Sequence, residues 1–239
     1  MDPGEQLSHH EEVDPHVRGR WLSDLILGAQ DGLVNTLGIV LGVAAASESA
    51  GITFAAGLAA AAAEAVSMAA VAFTTSAAMG ELYRAERERE YRHITQTPLI
   101  EREEVRRLYE KKGFRDPLLE RVVSTICENP DVWVEVMMAE EHGLVPIERR
   151  TSLRSAAIVG VASLAGALLP VLPFMPFMHL GRGAAAVLAL ALGAGGLFLL
   201  GAVQGRVTNR GPARTGTTLM LIGLMSSAIG YGIGALAAR

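Results

Sequence analysis

The stretch from Ile52 to His93 constrains this chain more than any other. Its first part, Ile52 to Met79, is apolar and dense in alanine. It then runs, without a proline or a Gly-Gly break, into Glu81-Leu-Tyr-Arg-Ala-Glu-Arg-Glu-Arg-Glu-Tyr-Arg-His93. Gly80, at the transition, costs a helix about 1 kcal/mol relative to alanine and does not end it. The sequence therefore predicts one long helix, fit to cross a bilayer below and solvated above. Glu64 and Met68 lie one turn apart on the same face of the apolar part. A carboxylate in a spanning helix is expensive, which makes it a functional candidate.

Four more apolar runs accompany this one. Span 1 is expected over Leu25–Ser47, span 3 over Leu153–Leu172, span 4 over Ala184–Val203 and span 5 over Thr217–Leu236, with span 3 stopped by Pro170, Pro173 and Pro176. Charge is segregated from them: Arg84 to Arg150 holds 13 of the 21 basic and 15 of the 25 acidic residues. The expected fold class is thus an all-α integral membrane protein with five transmembrane helices. A three-helix insert stands between spans 2 and 3 on an elongated second helix. The domain boundaries expected are a disordered tail (1–20), spans 1 and 2 (21–83), a helical metal-binding insert (84–149) and spans 3 to 5 (150–239). The tail carries His9, His10, Glu11, Glu12 and His16 but nothing that would fix a ligand geometry, and it has no apolar core resembling a signal peptide.

Basic residues in the short flanks orient such a chain. Arg18, Arg20, Arg149, Arg150, Arg206, Arg210 and Arg214 fall on one side, against Arg182 and Arg239 on the other. The N-terminus and the insert are accordingly expected in the cytoplasm. The net charge of −4, with no dense basic stripe, excludes a nucleic-acid partner. Cys127, the one cysteine, excludes an internal disulfide and a thiolate metal site.

The insert reads as helices over Glu101–Lys112, Asp116–Glu128 and Asp131–Gly143, bounded by Asp or Pro starts and Gly ends. About 60 residues hardly hold a core unaided. Glu90 and His93 are spaced i, i+3, as are Glu101 and Glu104; Met137 and Met138 precede Glu141 by four and three residues. Each set projects from one helix face. The plain alternative for the first two is a solvated face, with Arg87, Arg89, Arg92 and Arg102 as ion-pair partners. For the methionines it is core packing. Thioethers beside Glu140-Glu141-His142 nevertheless mix soft and hard ligands, which suits a transition ion better than Mg²⁺ or Ca²⁺. In the membrane, Asp31 and Asn35 on span 1 with Glu64 and Met68 on span 2 repeat that chemistry as a candidate transport pathway. Asp24, two turns before Asp31, is placed at the interface beside Arg18 and Arg20.

These residues resemble the vacuolar iron transporter family. Asp24-Leu-Ile-Leu-Gly-Ala-Gln-Asp31-Gly-Leu-Val is similar to the family's first-span motif, Ser67-Met68-Ala to its second-span Ser-Met-Ala, and Met137-Met138-x-x-Glu141 to part of its cytoplasmic metal-binding domain. The resemblance implies a homodimer that exports Fe²⁺ or a related divalent ion such as Mn²⁺ from the cytosol in exchange for protons, without a prosthetic group and without enzymatic activity. It implies Asp31 and Met68 as the intramembrane metal site, and Glu90, Glu101, Glu104, Met137, Met138 and Glu141 as ligands in the insert. Two departures stand out. His93 replaces an acid of the family pattern, and Val71-Ala72-Phe73 stands where the family often has Gly-Glu-Tyr. Helical spacing, not resemblance, makes Glu64 a replacement for the missing carboxylate. A bacterial inner membrane is expected ahead of a vacuolar one. The alternative, from Glu90-x-x-His93, is a membrane-anchored di-iron ferroxidase or storage site. Such sites use two Glu-x-x-His pairs, and His142 follows Ala139 rather than Glu at that spacing.

Overall fold

The computed structural model describes residues 20–239, and every regular element among them is helical. The helices are α1 (Arg20–Ala46), α2 (Ala50–Gln96), α3 (Pro98–Lys111), α4 (Leu118–Glu128), α5 (Pro130–Val136), α6 (Arg149–Val171), α7 (Arg182–Val207) and α8 (Pro212–Ala237). Five of them, α1, α2, α6, α7 and α8, are long and apolar enough to cross a membrane. The long second helix is continuous over 47 residues, as the missing Pro and Gly-Gly breaks predict. The tail with His9, His10 and His16 lies outside the described residues.

The chain forms two compact units, one of residues up to Ala72 with Ser155–Arg239 and the other Phe73–Arg154. In the first, α1 is the hub. Its small residues bring backbones together: a Cβ on Gly32 would meet the Ser163 carbonyl of α6 at 2.1 Å, and one on Gly234 of α8 would meet the Gly42 carbonyl at 1.9 Å. Without a hydrophobic force between lipid-bathed helices, such close backbone packing is what holds them. Leu37, Val40, Leu41, Ala44, Val171, Phe174, Ala185 and Ala189 fill the space between α1, α6 and α7. A smaller cluster of Leu33, Leu197 and Leu219 ties α1 to α7 and α8.

In the second unit the insert builds its own core from Val105, Leu119, Val123, Ile126, Trp133 and Met137. The apolar spacing of α4 buries Leu119, Val123 and Ile126 together. Polar links surround that core. Arg106 Nε meets Glu120 Oε1 at 2.8 Å and Arg106 Nη2 meets Asp116 Oδ2 at 3.1 Å, joining α3 to α4. Tyr91 of α2 hydrogen-bonds Asp131 and accepts from Arg87 Nη2 at 2.9 Å, joining α2 to α5. Asn129 caps α5 by accepting from the Asp131 N–H at 2.9 Å. Ser152 Oγ donates to Ser76 Oγ at 2.9 Å, where α6 meets α2. Gly80, weak as a helix former, is buried close by; a Cβ there would lie 3.2 Å from the Ile147 carbonyl.

The proline group ends α6 at Val171, one residue from the expected Leu172: Pro170 sits inside the last turn, and Pro173 and Pro176 lie in two 3-10 turns beyond it. One expectation about local structure changes. The third insert helix is not a single α-helix: α5 ends at Val136 and Met137–Glu141 is a π turn, with the His142 N–H donating to the Met137 carbonyl at 3.2 Å. Met137 and Met138 are both fully buried.

Candidate functional site

Three of the intramembrane candidates meet. Asn35 Nδ2 donates to Glu64 Oε1 at 3.1 Å, and the Glu64 carboxyl lies against that of Asp31. The spacing that puts Asp31 and Asn35 one turn apart on α1 lets both reach the single acid of α2. Two carboxyl groups in such contact need a shared proton or a cation between them. All three side chains are half-buried, so the group is open to an ion. Met68 is half-buried one turn further along α2 and is not part of the hydrogen-bonded set. Asp24 is half-buried on α1; the side chains of Arg18 and Arg20 lie outside those described.

The insert gathers a second group. Ligand atoms of Glu90, His93 and Glu101 lie within 4.8 Å of one another. His93 Nδ1 is 3.7 Å from Glu90 Oε1 and 3.5 Å from Glu101 Oε1. Glu90 is 3% and Glu101 5% exposed, an extreme burial for carboxylates. The solvated-face alternative fails for both. Three of the four arginines that could neutralise them are engaged elsewhere: Arg89 with Glu86, Arg102 with Glu120 and Arg87 with Tyr91. Burial, with the charges of Glu104 and Glu90 added, pushes the Glu101 carboxyl up to about 7. Burial and then the Glu104 charge likewise raise Glu141. Those couplings place Glu90, Glu101, Glu104 and Glu141 in one electrostatic pocket that favours a proton or a cation. Met137 belongs to the apolar core, as the packing alternative supposed, whereas Met138 is buried outside that cluster.

His142, which the sequence offers only beside Glu140 and Glu141, joins this group. His142 Nε2 lies 3.2 Å from Glu90 Oε1, although the two residues are 52 apart in sequence. Its i, i+4 spacing from Met138 is the sequence signal for its face; spacing along one helix does not give Glu90 as its neighbour.

A helical, multi-pass membrane protein with a carboxylate pair between its first two spans, and a cluster of buried carboxylates with partly exposed imidazoles in the segment after the second, defines the class. A model of the VIT family matches residues 22–235. The chain belongs to the VIT family. It is 30% identical over 233 residues to vacuolar iron transporter 1 of Arabidopsis thaliana, covering 97% of this chain and 92% of that protein. It is 30% identical over 230 residues to vacuolar iron transporter 2 of Oryza sativa subsp. japonica, covering 96% and 93%. Protein CCC1 of Saccharomyces cerevisiae is 27% identical over 179 residues, 74% of this chain and 54% of that one.

Proposed function

We propose that this protein transports divalent iron, and with it Mn²⁺, out of the cytosol in exchange for protons, as a homodimer and not as an enzyme. The observation that carries the reading is the contact of Asp31 and Asn35 on one span with Glu64 on the next, in a chain of this family. A carboxyl pair that must hold either a proton or a cation is the minimal device for antiport: an arriving ion displaces the proton, and a returning proton expels the ion. Met68, one turn away, adds a thioether that favours a transition ion over Mg²⁺. Asp24 stands at the mouth of the same path. The insert, on the cytosolic side by the distribution of arginines, gathers the ion with Glu90, His93, Glu101, Glu104, Glu141 and the sulfur of Met138 or Met137.

The relatives' names speak for a vacuolar membrane in their organisms, against the expected bacterial inner membrane. In either membrane the direction is the same, away from the cytosol. The ferroxidase alternative finds no support in relatives named as transporters over nearly the whole chain.

Anaerobic proteoliposomes loaded with a pH dye test the reading. Fe²⁺ added to the insert side should drive opposite proton movement, and Asp31→Asn, Glu64→Gln and Met68→Ala should each lower it about tenfold or more. Unchanged flux in Asp31→Asn would overturn the site, and metal uptake without proton movement would overturn the antiport.

A further inference from the structure

Resting on the reading of the insert as a metal-gathering site, we propose that His142 is a further metal ligand there, so that two imidazoles converge on Glu90 and tilt the insert toward nitrogen-preferring ions. Glu90 Oε1 has His142 Nε2 at 3.2 Å and His93 Nδ1 at 3.7 Å. The other oxygen, Oε2, is buried without a hydrogen-bond partner, and the residue is 3% exposed. A buried carboxylate with one unsatisfied oxygen is costly unless something positive completes it, and no arginine ion pair reaches it among the described residues. The π turn gives the second reason. It is the local distortion that carries His142 onto the face of the buried Met137, and such turns recur at functional sites. At ordinary pitch the ring would stand one turn from Met138 instead.

Two imidazoles change the ligand chemistry. Carboxylates alone take Mn²⁺, Mg²⁺ and Ca²⁺ readily. Each imidazole added strengthens binding of ions later in the first transition series more than that of Mn²⁺. The insert is thereby a mixed nitrogen–oxygen site, suited to Fe²⁺, Co²⁺ or Zn²⁺ ahead of Mn²⁺.

The test uses the full chain in detergent with His9, His10 and His16 replaced by Gln, so that the tail supplies no imidazole. Pulsed electron paramagnetic resonance on bound Mn²⁺ counts imidazole nitrogens, and Co²⁺ titration reads affinity. The proposal expects nitrogen couplings from two rings, one fewer in His142→Ala and also in His142→Gln, which can still hydrogen-bond Glu90. It expects Co²⁺ affinity to fall about tenfold or more in both variants, with Mn²⁺ affinity falling less. One ring in the unsubstituted site, lost only in His93→Gln, would overturn the role of His142 and leave the metal-binding insert standing. No metal bound at all would overturn both. The count on the unsubstituted protein decides the matter even if a variant does not fold.

Discussion

Glu101 offers the sharpest quantitative test of how the insert handles its ion. Burial and the neighbouring carboxylates push it up to about 7, against an ordinary glutamate near 4.3. Its proton must leave before the carboxylate can bind metal, so proton and ion compete. Competition with a group titrating near 7 makes Co²⁺ binding about 30-fold weaker at pH 5.5 than at pH 8, whereas an ordinary carboxylate would change it by only about a tenth. The same shift acts on the metal-free fold with the opposite sense. A folded-state value raised above the unfolded one stabilises below about pH 4, and that contribution fades as pH rises through about 7. Metal then restores at neutral pH what deprotonation removes. The assay is Co²⁺ affinity of the full-length protein by chelator competition from pH 8 to 5.5, compared with Glu101→Gln. The wild-type profile should fall more steeply, by up to one decade per pH unit below 7. Parallel profiles would refute the reasoning, because the displaced proton would then not belong to Glu101.

Other consequences are checked more simply. Gly234→Ala should destabilise the detergent-solubilised protein by roughly 1–3 kcal/mol in thermal unfolding, because its Cβ would collide with the Gly42 carbonyl; Gly232→Ala, with open space around it, should change little. Met137→Ala should cost the insert roughly 2–5 kcal/mol, since Met137 is fully buried in its core. Met138→Ala should weaken metal binding beyond any loss of stability, read by Co²⁺ titration on protein shown to be folded. Trp133→Phe should cost the insert only the volume it removes from the core, roughly 1–2 kcal/mol, because the indole N–H is buried without a partner and its removal leaves nothing unsatisfied.

The architecture was legible because membrane spans and charged segments differ so strongly in composition: α2 extends only two or three residues beyond each end of the Ile52–His93 reading. The Asp31–Asn35–Glu64 contact was legible in part. Helical spacing put Asp31 with Asn35, and the cost of charge in a bilayer called for facing partners, but only packing shows that Glu64 supplies one. The prolines marked the end of span 3 to within one residue, Val171 against the expected Leu172. Spacing did not separate the two methionines either; Met137 is distinguished from Met138 by its place in the apolar cluster. His142 was legible only as a neighbour of Glu140 and Glu141, because its contact with Glu90 spans 52 residues and is made by packing, not by spacing along one helix.

The π turn at Met137–Glu141 also says what kind of change would undo this arrangement. It is equivalent to one surplus residue in an otherwise regular helix, so the aim of His142 is a matter of chain length, not only of side-chain identity. Removing Ala139, which is exposed, would give the segment ordinary pitch with Met137 and His142 one α-helical turn apart, so that deletion keeps the ring on its face. Inserting a residue there would instead rotate His142 by about 100° while every ligand remains in the sequence.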